Sequence, residues 1–527
     1  MKLSLQGIEN HSEWTAKGFR LPTYDIAAMR ESTQQNPEWL HFGPGNIFRA
    51  FLAVTQQKLL NMGKAKTGTI VRVPINSEVI DKVFVPHDNL FVVSTLHKDT
   101  IDNEVVASIS EALGPRDKNR IVEVFTAPSL QIASFTITEK AYTVTNSTGG
   151  ALPFIAADMD GAPEQASSFI GEVTWLCFER FRAGAFPLAL VSMDNCAKNG
   201  DKLKHAVCTM AEAWQCRGFV PGEFIEYLNS DKIAFPYTMI DKITPVPSQE
   251  VAEHLAALGC EEMGIIRTER GNSLAPFVNA EETEYLVIED EFPNGRPPLE
   301  EAGIIFTDRA TVNKVEKMKV GACLNPLHSA LAIFGYLLGY KYIYEVMRDD
   351  AAVALILQIG YREALPYVQN PGIVDPETFL RQVIETRLPN PHIPDAVHRI
   401  AMDTSQKISV RYGEALKKMT DSEIDKLVGF PLFFAGWLRY LLCVDDFGKE
   451  FTPSPDPLLD ELRAALEGIT LGDSDSFTEK LRPILSNKAI FGADLFENGL
   501  AAKTERFFAD MTAEPGAVRR TLIEQLK

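Results

Sequence analysis

Apolar and polar positions change their rhythm twice along this chain. The first 38 residues are polar and irregular. Then "WLHF" (39–42) has strand character, "GPG" (43–45) is a turn, and "NIFRAFLAVTQQKLLNMG" (46–63) carries apolar residues at helical spacing and ends in Gly. "TGTIVRVPI" (67–75) reads as a second strand, so the chain opens β-turn-α-β, the start of a doubly wound parallel sheet. Further strands are predicted at 89–97, 105–110, 129–138 and 186–195, with a helix at 200–216. From about residue 300 the period becomes helical, in segments 315–320, 350–365, 375–388, 395–419 and 455–469. The expected fold class is α/β. A Rossmann-type parallel sheet occupies residues 1–300 and a mostly α-helical domain 301–527, with the Pro- and Gly-rich "FPNGRPPLEEAG" (292–303) as connector.

Composition narrows the function classes. The chain has 527 residues, 45% hydrophobic and 23% charged, which suits a globular protein with a large core. A formal net charge of -19 repels nucleic acid and anionic membranes, while a local basic cluster can still serve an anionic small substrate. Seven scattered Cys form no C-x-x-C pair, against a disulfide framework or zinc site and in favour of a reducing cytoplasm. The N-terminus has no apolar signal-peptide run, and the greasiest stretches, 329–340 and 430–444, read as core helices. No metal-ligand cluster is expected, and a monomer or small homo-oligomer is compatible with everything so far.

Three places carry candidate chemistry. Gly43 and Gly45 lie between a strand and a helix, where bare backbone and free N–H groups suit a pyrophosphate. The third glycine of G-x-G-x-x-G is replaced by Phe48, so a tight turn without a ligand stands equally open. Glu78, Asp81 and Arg72 follow or end the second strand and do not separate NAD from NADP. Asp194 and Asn195 end another strand, either as site residues or as an Asx turn capping the next helix. Finally, "KVEKMKVGACLNPLHSALAIFGYLLGY" (314–340) holds Glu316, Lys319, Asn325 and His328 in an otherwise apolar helix. Asn325-Pro326 predicts a helix start with Asn325 as cap; a continuous helix kinked at Pro326 is the alternative. A buried Lys with a lowered pKa can act as general base, and Asn and His can hold an alkoxide. A solvated Lys, a capping Asn and a satisfied His is the bland counterpart.

From about residue 39 to 415 the sequence resembles the mannitol dehydrogenase family of polyol-specific long-chain dehydrogenases, which includes hexuronate reductases. The matching segments are "HFGPGNIFRA", "TEKAY", "SMDNCAKNG", "FPYTMIDKITP" and "VIEDEFPNGRPPLEEAG". The resemblance implies an NAD-dependent oxidoreductase, NADP not being excluded, acting on a sugar acid or polyol. It implies cofactor contacts from Gly43, Gly45, Asn46, Arg49 and Asp194. It implies Lys319 as base, Asn325, His328 and Asn195 around the reacting oxygen, Glu316 in proton exchange, and Arg399 and Lys407 on the substrate. D-fructuronate to D-mannonate is the favoured reaction, tagaturonate/altronate and fructose/mannitol the alternatives. A non-catalytic dinucleotide sensor is the reading of another class. Two departures stand out: Lys319 to Asn325 is one residue longer than the family's K-x4-N, and Pro326 replaces a small residue.

Overall fold

The structure, a computed structural model, describes residues 1–145, 150–393, 395–472, 477 and 479–527. The chain divides into two compact units, Met1–Asn313 and Lys314–Lys527.

The first unit is built on a six-stranded sheet: β1 (Trp39–Phe42), β2 (Thr69–Arg72), β3 (Ile109–Leu113), β4 (Ile132–Phe135), β5 (Leu188–Ser192) and β6 (Ile233–Ala234). All pairings are parallel, in the order β3-β2-β1-β4-β5-β6. This is the doubly wound dinucleotide-fold order, whose direction reverses between β1 and β4. Every residue of β1, β2, β4 and β5 is buried, as expected of strands covered on both faces.

Three details differ from the sequence expectation. The predicted strand 105–110 straddles two strands, Ile101–Val106 and β3. The strand predicted at 89–97 forms as Phe91–Leu96, outside the parallel sheet, where it pairs antiparallel with Ile101–Val106 and parallel with Phe277–Glu281. Only residues 97–100 join the two antiparallel strands, and a parallel crossover needs a dozen or more. The first 38 residues are ordered: helices such as Ile26–Gln35 and a short strand bring Leu3, Ile8, Trp14 and Phe19 into a core with Leu90, Val92 and Phe277. Segment 292–303 packs within this unit, where Arg296 lies 3.4 Å over the Phe306 ring and Ile305–Thr307 pairs with Tyr285–Glu289.

The second unit is helical. Its centre is the helix Gly429–Leu441, buried at all thirteen positions and packed by Asn325–Leu337 and Ala501–Thr512. Gly436 is required there, because a Cβ would stand 2.4 Å from the Phe334 ring. Both ends of this helix are buried, so their polar groups need partners inside the protein. Glu363 accepts from the N–H groups of Val428 (2.7 Å), Gly429 (2.7 Å) and Phe430 (2.8 Å). At the other end Arg439 donates to the carbonyls of Met511 (3.2 Å), Asp445 (3.1 Å) and Val444. A carboxylate at the N-terminus and a guanidinium at the C-terminus also match the helix dipole. The run Arg309–Leu337 is long and apolar enough for a membrane span by composition, but 72% of its most apolar window is buried inside the protein, as in a core helix.

Glu363→Gln should therefore destabilise the second unit by on the order of 3 kcal/mol, since one acceptor oxygen becomes a donor facing buried N–H groups. Urea unfolding followed by tryptophan fluorescence measures it; a loss below about 1 kcal/mol would contradict the capping role.

Candidate functional site

At the reversal point of the sheet, Gly43 follows β1 with φ +83°. A Cβ there would stand 2.4 Å from the Thr136 carbonyl oxygen just after β4, so glycine is obligatory. Thr136 Oγ1 donates to Gly43 O at 2.8 Å, and Gly43 N to Arg72 O at 3.1 Å. Gly45 differs: the nearest atom to a Cβ would be Gly43 O at 3.8 Å. Nothing in the fold requires glycine there, and its bare side leaves room for a ligand to approach the backbone. The absent third glycine also has a reason. Phe48 is fully buried and stacks on His41 with centroids 4.0 Å apart. His41 bridges Ser134 Oγ (2.7 Å) and Thr136 Oγ1 (2.9 Å), and burial lowers its pKa to about 3, so it is neutral.

Arg49 is buried and donates to Ala275 O (2.8 Å) and Asn46 Oδ1 (3.0 Å). The Asn46 amide donates to Pro245 O at 3.3 Å. Arg49 thus positions Asn46 and the glycine turn. Arg72, which the sequence leaves undecided between NAD and NADP, faces neither solvent nor an open cofactor site. It is buried and bound to Glu172 Oε1 through Nε (3.0 Å) and Nη2 (2.5 Å).

The polar strand ends form one network. Asp194 does not cap the following helix; it reaches to the neighbouring strand end. It accepts from Ile137 N (3.0 Å), Thr138 N (2.9 Å) and Tyr142 Oη (2.6 Å). Ser192 Oγ donates to Tyr142 Oη at 2.9 Å. Burial drives the Tyr142 phenol well above its ordinary pKa, and the Asp194 charge adds to this. Asn199, buried, donates to the carbonyls of Ser192, Asp194 and Thr238 at 3.1 Å and accepts from Thr238 N at 3.0 Å. "TEKAY", "SMDNCAKNG" and "FPYTM" are therefore physically joined. Asn195 is exposed beside this network. Thr238 and Asn199 escaped sequence reasoning; their signal was only a polar residue inside a matched motif.

In the second unit, Lys319 is buried and begins a π turn, Lys319–Cys323, closed by Leu324 N donating to Lys319 O at 3.1 Å. An α-helical residue advances about 100°, and a π turn uses one more residue for the same turn. The extra residue between Lys319 and Asn325 falls in this widened turn. The helix then resumes as Asn325–Leu337, interrupted at Leu324 (φ −128°, ψ −61°), one residue before the expected cap. Pro326 falls in its first turn, where its missing N–H costs nothing.

His328 lies in that first turn. Its buried Nε2 stands 3.4 Å from Asp395 Oδ2, an ion-pair contact rather than a well-formed hydrogen bond, and makes no hydrogen bond among the described residues. Burial lowers the His328 pKa against the pull of Asp395, leaving a neutral imidazole at pH 7. Burial alone would raise the Asp395 pKa, but His328 and Arg399 outweigh it and hold it at about 2. Arg399, mostly exposed, pairs with Asp395 Oδ1. Lys407 donates to the carbonyls of Ile400 (3.4 Å) and Met402; burial first, then the Arg411 charge, lowers its pKa to about 8. Arg411 Nη1 donates to Asn325 O (3.2 Å) and Ser329 Oγ, and Tyr412 Oη donates to Pro326 O (2.7 Å). Both come from a second π turn, Ser409–Gly413, packed against the first. Asp395 and Arg411 were not found from sequence. Arg411, four residues after Lys407, was the available sign. Among the described residues no three His, Cys, Asp or Glu group as a metal site.

Asp395 has a folded pKa below its ordinary 3.8, so its stabilisation is present above about pH 4 and is lost as pH falls towards 2. Asp395→Asn should lower the melting temperature most at pH 5–7, and the gap to wild type should close on approaching pH 2–3. A gap independent of pH between 7 and 3 in thermal scans would refute the ionised pair.

Two family models match the chain: the mannitol dehydrogenase Rossmann domain over residues 37–301 and the mannitol dehydrogenase C-terminal domain over 311–509. A D-mannonate oxidoreductase of Thermotoga maritima is 46% identical, covering 99% of both chains. A mannitol 2-dehydrogenase of Emericella nidulans is 31% identical over 90% of this chain and 89% of its own. Among solved structures, Pseudomonas fluorescens mannitol 2-dehydrogenase, in a ternary complex with NAD and D-mannitol, superposes with a TM-score of 0.70 at 26% identity, covering 99% of both chains. With these matches over nearly its whole length, and a parallel sheet in dinucleotide-fold order followed by a helical unit, the chain belongs to the mannitol dehydrogenase family of oxidoreductases.

Proposed function

We propose that this protein is an NAD-dependent dehydrogenase that interconverts a secondary alcohol of a linear sugar acid and its ketone, with D-mannonate and D-fructuronate as the pair. The observation that carries the chemistry is the neutral His328 imidazole, whose buried Nε2 stands 3.4 Å from Asp395 Oδ2 and makes no well-formed hydrogen bond among the described residues. A buried polar atom left open in this way suits an oxygen supplied by a ligand. The 46% identity to a D-mannonate oxidoreductase favours the mannonate/fructuronate pair over tagaturonate/altronate or fructose/mannitol.

NAD, when bound, supplies the hydride acceptor. The chain's residues fit such a group: obligatory Gly43, open Gly45 and the helix that starts at Asn46 form a cradle at the sheet's reversal point. Arg72 is committed to Glu172, and Glu78 stands at the start of the helical segment beyond β2, which favours an unphosphorylated ribose. Lys319 takes the hydroxyl proton as the alcohol is oxidised. Asn325 and His328 donate to the oxygen as charge builds on it, with Asn195 as a further donor. Glu316, one turn before Lys319, passes the proton on. Arg399 and Lys407 hold the substrate's far end. The cysteines, not joined in disulfides among the described residues, suit a cytoplasmic setting.

Lys319→Ala should lower kcat by at least about 1,000-fold while NADH fluorescence titration gives an unchanged Kd. Wild-type protein that binds NADH yet reduces no hexuronate or ketose would favour the sensor reading. Gly45→Ala should melt at the wild-type temperature and bind NADH at least about tenfold more weakly, whereas Gly43→Ala should lose stability, because its Cβ collides with Thr136 O. Equal stability loss in both variants would remove the argument for the cradle.

A further inference from the structure

The basic residues of the second unit differ in how their charges are met. Arg399 is neutralised by Asp395. Lys407 and Arg411 are not. Lys407 touches only backbone carbonyls, of Ile400 and Met402. Arg411 uses Nη1 alone, on Asn325 O and Ser329 Oγ, and its Nε and Nη2 groups make no hydrogen bond among the described residues. No carboxylate there lies within ion-pair distance of either cation. Asp403 and Asp456 act on Lys407 from beyond ion-pair distance, and Asp456 is engaged by Ser405 N (2.8 Å) and Leu458 N (3.0 Å). The Arg411 charge also disfavours the Lys407 ammonium. Two half-buried cations held close without an anion are a costly arrangement unless a ligand completes it. The chain has a net charge of -19, so this is a local reversal of its field.

The position of Arg411 says which part of a ligand is meant. Its guanidinium rests on the carbonyl of Asn325, the residue whose side chain is proposed to hold the reacting oxygen. The unused edge, Nε–H with Nη2–H, is the fork that pairs with a carboxylate through two parallel hydrogen bonds. A neutral polyol offers hydroxyls to such a fork and leaves both charges uncompensated.

We infer that Arg411, with Lys407 beside it, is the specificity-determining element that recognises the carboxylate of the substrate and selects a sugar acid over a neutral polyol. This rests on the dehydrogenase reading above and deepens it.

The test compares NADH oxidation with D-fructuronate and with its uncharged methyl ester, for wild type, Arg411→Met and Arg411→Lys. Wild type should prefer the acid. Arg411→Met should reduce the acid-to-ester ratio of kcat/KM on the order of 100-fold, chiefly through KM for the acid. Arg411→Lys keeps the charge without the fork and should retain part of the preference, about tenfold below wild type. If Arg411→Met does not fold, the Arg411→Lys ratio carries the test, and an unchanged ratio overturns the inference. Equal loss on acid and ester would make Arg411 a support for Asn325 only and overturn it too. Wild-type turnover of neutral ketoses without preference for acids overturns it while leaving the dehydrogenase reading intact. Failure of that reading would show separately, as no NADH oxidation by wild type with any hexuronate or ketose.

Discussion

The second unit depends on a helix that has no solvent face. Gly429–Leu441 is apolar almost all round, and its burial supplies the core on which the other helices pack. Such a helix can exist only if its terminal N–H and C=O groups find partners inside the protein. Glu363 meets the amides at one end, and at the other the N–H groups of Leu442 and Cys443 meet the carbonyls of Arg439 and Tyr440, while Arg439 ties the following loop to the helix. Glu363 itself sits in a π turn, Gln358–Ala364, which follows the helix Asp350–Leu357. The widened turn is thus part of how a carboxylate reaches three amides.

The same device recurs where the chemistry is placed. Lys319 opens one π turn, and Arg411 and Tyr412 lie in another that packs against it. Between them they hold the start of the helix carrying Asn325 and His328 by its carbonyls. In the first unit a π turn, Phe48–Leu52, follows the glycine turn and buries Phe48 on His41. A π turn lets one residue be added to a helix while the residues on either side keep their faces. Packing around it fixes where the added residue goes.

Local patterns made the β-turn-α-β opening legible, because apolar runs, two glycines and helical spacing all agree between 39 and 75. The polar residues at 319, 325 and 328 were legible for the opposite reason: they break an apolar stretch. What escaped reading depends on partners far along the chain. Asp194 looks like a turn residue until Tyr142, 52 positions earlier, is brought to it. Arg72 looks like a ligand-binding cation until Glu172, 100 positions away, neutralises it. The first 38 residues look irregular because their few apolar side chains are spaced for a shared core with distant strands rather than for one of their own. Arg411 carries no local sign at all beyond its distance from Lys407.

The π turn at Lys319–Cys323 bears on how such enzymes diverge. A one-residue insertion within a rigid helix turns every later side chain about 100° away from its former face. Here the added residue is stored as a wider loop of backbone. Lineages can therefore drift in the spacing of a signature without drifting in chemistry. A signature defined by fixed gaps will divide into separate groups proteins whose reacting groups point the same way.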